Sequence, residues 1–180
     1  MTVSKIAGSA LALILVFLFA HSALGDEELR PPKTYVRCSP NGQFCAEMSA
    51  EKRQTIIRHG GREIWRMEGW FEDAYLADDG DHLVVGYWGG PHLPVNFSPR
   101  TTVVTFYRRG ELIKKVHVSG IFRDLHSLPL TGSHRLWGRT LGFDKKGRFI
   151  INTTESRAFA FDVRSGNVVE AWFAPWGAGL

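Results

Sequence analysis

His92, Asp124, His126 and His134 are the side chains whose types could support metal-assisted hydrolysis. Imidazoles and a carboxylate together can hold a divalent ion and ionise the water bound to it. Their spacing matches no ligand motif. His117, His126 and His134 are nine and eight residues apart, which fits neither one face of a helix nor a tight metal-binding turn. Solvated loop histidines are the simpler reading, so neither a metal nor a cofactor is expected. The chain holds no Gly-x-Ser-x-Gly elbow, phosphate-binding glycine loop or His-Glu-x-x-His sequence. The acidic run Asp78-Asp79-Gly80-Asp81 lacks the alternating carboxylates and distant Glu of a calcium loop, and reads as a turn.

Binding chemistry is better represented than catalysis. Trp88, His92 and Phe97 lie on an irregular segment, about 86–99, that is rich in Gly and Pro. Arg123, Asp124, His126 and His134 lie on a second irregular segment, about 118–135. Irregular surface segments on a rigid scaffold are where recognition residues concentrate. Trp88 is the one indole on such a segment, and it is the natural anchor for a ligand. The leading expectation is a secreted, non-catalytic binding module that presents these two segments to an unknown protein or glycan. The alternatives are a metal-assisted hydrolase using the loop His and Asp residues, and a carbohydrate-binding surface protein centred on Trp88.

The elements that would position these residues come in a repeated frame. Ser39-Pro40-Asn41-Gly42, Asp78-Asp79-Gly80 and Lys145-Lys146-Gly147 are polar turns closed by Gly, each followed by a short apolar run that reads as a strand. Trp70 and Trp137 each precede the turn glycine of their unit by ten residues, which marks them as packing residues. Trp65 and Trp172 are likewise expected to be buried. A second glycine, Gly61, Gly110 or Gly166, opens another strand in each unit. The interval between the two glycines is 19 residues in the first and third units and 30 in the second, so the second carries an insertion of eleven. Each unit therefore reads as four strands, over about 34–70, 71–117 and 137–172. No stretch shows sustained helical periodicity. Both irregular segments flank the second unit, an arrangement that could bring them together at one end of the fold.

The frame resembles the blades of β-propeller proteins, with Ser39-Pro40-Asn41-Gly42 as the closest match to a blade-opening turn. The resemblance implies an all-β fold of three antiparallel four-stranded blade-like units and assigns no activity. Closed propellers have four to eight blades. Three units give an open or partial propeller, or else a twisted β-sandwich. The end strands of an open stack invite pairing with a second copy, so a homo-oligomer through open sheet edges is expected. The apolar tail Ala171-Trp172-Phe173-Ala174-Pro175-Trp176 could cover one such edge.

The first 25 residues read as a secretory signal peptide: Lys5, an apolar run from Leu11 to Ala20, then Ala23-Leu24-Gly25. That run is too short to span about 30 Å of hydrocarbon, so no membrane span is expected after cleavage. Residues 26–180 would then be a single all-β repeat domain, secreted or periplasmic. Cys38 and Cys45 suit a disulfide in an oxidising compartment, placed opposite each other by a two-residue turn at Asn41-Gly42. The whole chain has 22 Lys and Arg against 18 Asp and Glu, with 44% hydrophobic residues. This composition excludes disorder, and without a dense basic run it gives no footprint for nucleic acid. Asn96 and Asn152 begin sequences of the N-glycosylation type.

Overall fold

The computed structural model describes residues 31–177, and the expected leader lies outside them. The fold is all-β. The first sheet runs in chain order through β1 (Tyr35–Cys38), β2 (Phe44–Ser49), β3 (Gln54–His59) and β4 (Arg62–Glu68). The second contains β5 (Ala74–Leu76), β6 (His82–Gly86), β8 (Thr102–Arg108) and β9 (Glu111–His117), with β7 (His92–Pro94) leaving the sheet between β6 and β8. Strand β10 (His134–Leu136) precedes the third sheet, which is β11 (Gly138–Phe143), β12 (Phe149–Thr153), β13 (Arg157–Asp162) and β14 (Asn167–Phe173). All pairings are antiparallel, and the three blade-like sheets do not close a ring.

The three sheets share local chemistry that independent hairpins would not be required to share. Gly42, Gly80 and Gly147 have φ values of 72°, 69° and 73°, where a Cβ would be strained. Each donates its backbone N–H to the carbonyl three residues earlier, on Ser39, Ala77 and Asp144. Asn41, Asp79 and Asp144 each accept backbone N–H groups from just ahead in the same turn. In every sheet the pairing of the last two strands slips by one residue at the same place. Ile64, Ile113 and Val169 are the extra residues, and each stands three positions after the second glycine of its unit.

The Cys38–Cys45 disulfide joins directly opposed residues of β1 and β2. The connection between those strands is wider than the sequence suggests. Ser39 N–H donates to the Phe44 carbonyl, so four residues, 40–43, form the loop instead of Asn41-Gly42 alone. The symmetric widening leaves the register of the two cysteines unchanged.

The second sheet buries both faces. On one side Ala74, Leu76 and Leu83 pack with Ala46, Met48, Ile57 and Trp65 of the first sheet. On the other, Val84, Val104 and Phe106 pack with Phe149, Ile151, Phe159 and Phe161 of the third. Alternation along the strand sends Leu83 to one core and Val84 to the other, so Leu83-Val84-Val85 is an unbroken apolar run. The Trp65 indole N–H crosses between sheets to the Gly80 carbonyl at 2.7 Å.

The two ends of the stack are finished differently. The far face of the first sheet carries the disulfide and the ion pairs Arg58–Glu47 and Arg66–Glu63. At the third sheet the tail folds back: Ala174 accepts a hydrogen bond from buried Asn152, and the Trp176 ring lies 5.7 Å from the Arg139 guanidinium. Strand β14 remains largely exposed, Trp172 being half-buried instead of enclosed. Among the described residues β14 is an edge strand, paired with β13 alone. The two frame tryptophans also differ: Trp137 is buried, while Trp70 is half-buried at a groove. Among the described residues, no helix is long and apolar enough to cross a membrane, a statement that does not address β-barrels.

The shared core predicts an uneven response to truncation. Phe106→Ala, at the junction of the second and third sheets, should lower unfolding free energy by about 3–5 kcal/mol. Leu112→Ala, at a site 55% exposed, should change it by at most about 0.5 kcal/mol. Denaturant titration measures both. Similar losses at the two positions would contradict the stacked arrangement.

Candidate functional site

The two insertions pair with each other. Strands β7 and β10 form a two-stranded ribbon with His134 opposite Pro94, Arg135 opposite Leu93 and Leu136 opposite His92. This sets the His92 and His134 rings edge to face, 5.7 Å between centroids. The ribbon is held from beneath. Leu93, Val118, Ile121, Phe122 and Leu128 are buried and join the core between the second and third sheets. Much of both insertions therefore belongs to the core, whereas sequence spacing alone suggested surface decoration.

Trp137 fixes the loop that carries Trp88. Its backbone N–H donates to the Pro91 carbonyl at 3.0 Å, and its indole N–H to the Gly90 carbonyl at 2.7 Å. Gly90 N–H closes a turn on the Tyr87 carbonyl at 2.9 Å. Trp88 stands on that turn with 60% of its surface exposed. A packing residue of the repeat thus presents a recognition residue of the insertion.

The remaining sequence candidates take separate positions. Phe97 is half-buried against the core. Asp124 accepts the His126 backbone N–H at 2.9 Å and caps the short 3-10 turn Leu125–Ser127. Arg135 holds that segment through the Leu128 carbonyl at 2.7 Å. Arg123, Asp124 and His126 are exposed. Among the described residues, no group of three or more His, Cys, Asp or Glu is placed to hold a metal ion.

Two adjoining grooves open beside Trp88. One, of about 300 Å³, is lined by Pro32, Trp70, Phe71, Glu72, Val85, Gly86 and Trp88. The other, of about 210 Å³, is lined by Glu72, Asp73, Tyr87, Trp88, Gly89 and Gly90. Neither is lined by Arg123, Asp124, His126 or His134. A third recess, of about 280 Å³, shares Trp70 and Glu72 and adds Lys33, Tyr35 and Arg37. The segment between the first and second sheets, 70–73, is common ground for all of them.

Behind that segment lies a polar cluster drawn from the first strand of each sheet. Thr140 Oγ1 donates to Asp73 Oδ2 at 2.6 Å and lies 3.0 Å from the Tyr75 hydroxyl. Arg37 donates to the Ala74 carbonyl at 2.8 Å, sits 3.6 Å from Asp73 and lies over the Tyr75 ring. Tyr35 donates to the Phe71 carbonyl at 2.5 Å, with the Glu72 carbonyl also in reach at 3.0 Å. Gly86 is required by this packing, because a Cβ there would collide with the Asp73 carboxylate. The cluster was missed in the sequence, yet its frame is visible there. Tyr35, Asp73 and Thr140 each stand seven residues before the turn glycine, and Arg37 and Tyr75 five.

Comparison with known proteins gives little to set beside this geometry. No protein-family model matches the chain, and no curated protein does. Among solved structures, a eukaryotic initiation factor is 13% identical, with 83% of this chain and 34% of that one covered, at a TM-score of 0.48. The WD40 beta propeller domain of Doa1 is 12% identical, with 74% and 37% covered, at 0.38. Hydrazine synthase of Kuenenia stuttgartiensis is 16% identical, with 77% and 36% covered, at 0.37. The chain spans about a third of the length of each. The blade-like character of the three sheets stands on their own topology and their repeated bulges.

The tyrosines behind the grooves make a pH prediction. Burial pushes the Tyr35 phenol up to about 12, with Arg37 opposing, and burial also raises Tyr75. A raised pKa means that the fold favours the protonated phenol. The associated stability is complete below the unfolded value near 10 and is lost as pH climbs through the folded one. Unfolding measured between pH 9 and 12 should show stability falling above about 10, less steeply in Tyr35→Phe. An identical slope in the variant would refute this assignment.

Proposed function

We propose that the protein is a secreted or periplasmic, non-catalytic recognition module whose binding surface is organised around Trp88. The observation that carries this reading is the placement of an exposed indole, anchored through Trp137, between two grooves backed by an ordered polar cluster. Phe97 packs against the core beneath, and we place His92, His134, Arg123, Asp124 and His126 outside the binding surface, since they line neither groove. Export is supported by the leader sequence and by the Cys38–Cys45 disulfide, which persists in oxidising compartments.

A thermal-shift panel of soluble oligosaccharides and small ammonium compounds tests the surface. At least one member should raise Tm in the wild type and not in Trp88→Ala, and should be recovered unchanged. Identical responses of the two proteins across the panel, or turnover of the bound compound, would overturn the reading.

The proposal extends to self-pairing along β14, where Val168, Val169 and Phe173 are exposed and the outer edge has no strand partner among the described residues. Sedimentation at high concentration should give a dimer that Val169→Lys dissociates. A monomer at every concentration would remove this part.

A further inference from the structure

We infer that the groove between Trp70 and Trp88 takes an organic cation, an alkylammonium or trimethylammonium group. This inference rests on the Trp88-centred binding reading and names the chemistry of its ligand. Three observations carry it. First, the groove walls are the two indoles with Phe71 between them, and the adjoining groove adds Tyr87. Electron-rich ring faces attract a cation placed over them, most strongly those of Trp, and a quaternary ammonium suits them because its methyl groups shed water at little cost. Second, the charged residues lining these two grooves are Glu72 and Asp73, both acids, in a chain whose net charge is +4. Third, the acids are differently engaged. Asp73 is held by Thr140 and faces Arg37, whereas the Glu72 carboxylate has no hydrogen bond or ion pair among the described residues. It is the group left to meet a ligand charge.

Lys33 and Arg37 line the neighbouring recess, which shares Trp70 and Glu72. Arg37 is directed to Asp73 and the Ala74 carbonyl. The cation-free side of Glu72 is therefore the Trp88 side. A neutral sugar would also stack on indoles, but it would draw no benefit from an acid-only lining. A phosphate or sulfate ester would be repelled by it.

The test titrates wild-type protein with choline chloride, with a short peptide containing trimethyl-lysine, and with 3,3-dimethyl-1-butanol, the uncharged isostere of choline. Tryptophan fluorescence and saturation transfer to the ligand methyl protons report binding. The cations should bind, the isostere at least about tenfold more weakly, with Trp88→Ala losing about tenfold in affinity. Glu72→Gln should weaken the cations and leave the isostere unchanged. Both side chains are exposed, and an unchanged Tm confirms that each variant is folded. Choline binding without the peptide identifies a small-molecule or headgroup ligand, and tighter peptide binding identifies a modified protein tail; either supports the ammonium assignment. Equal binding of choline and its isostere overturns it. So does Trp88-dependent binding of a neutral oligosaccharide in the absence of cation binding, an outcome that leaves the recognition reading standing. Responses unaffected by Trp88→Ala would sink both.

Discussion

Burial of both faces of the second sheet is the constraint on which the rest of the molecule depends. A lone four-stranded sheet has two surfaces and one chain to cover them. Here Leu83 and Val84, adjacent in sequence, point into separate cores shared with the first and third sheets. Removing either neighbour would expose a row of apolar side chains, so the three sheets are interdependent instead of being three small domains. The same constraint fixes the insertions. The core between the second and third sheets includes Leu93 from one insertion and Ile121, Phe122 and Leu128 from the other. A ribbon made of two three-residue strands would be marginal alone. It is ordered because its underside completes a core that the sheets leave open.

The sheets were legible because turn glycines and apolar runs are local signals, and because the frame occurs three times. The ribbon was not. Strand β7 contains Pro94 and has three residues, and its partner lies beyond the whole of β8 and β9, so no local pattern announces the pairing. The indoles show a different limit. Trp70 and Trp137 occupy the same frame position, yet Trp137 is enclosed because the insertion ahead of it folds over it, while Trp70 stays half-buried, with its indole N–H on the Lys33 carbonyl and its ring edge to face with Tyr35. A frame fixes where a side chain starts; its surroundings depend on what the neighbouring unit adds. Trp172 was expected to be buried by analogy with Trp65, but Trp65 reaches the second sheet at Gly80, whereas Trp172 lies on an edge strand that, among the described residues, packs against no further sheet.

The polar cluster follows the same logic in reverse. Tyr35, Asp73 and Thr140 share a frame position that carries no motif within any one unit. Their meaning emerges when the first strands of three sheets converge. Thr140 from the third sheet then satisfies Asp73, which faces Arg37 of the first sheet, and Arg37 covers Tyr75 of the second. In a closed ring such strands would line a central channel. Here the stack is open, and the corresponding side is bordered by the linker 70–73.

That openness explains why the grooves lie where they do. The linker must pass from the outermost strand of the first sheet, β4, to the innermost strand of the second, β5, and so it crosses between the sheets. A crossing segment carries backbone carbonyls that need donors, and Tyr35 supplies one to Phe71 and Glu72. Once the backbone is held from behind by Tyr35 and Asp73, Glu72 is exposed beside the turn that lifts Trp88, while Trp70 and Phe71 pack half-buried against the first core and line the groove. The connection between the second and third sheets makes the equivalent crossing, but there Trp137 is covered by the first insertion and its indole is spent on Gly90. One crossing has been filled to build the core, while the other leaves Trp70 half-buried at the grooves that Trp88 also lines.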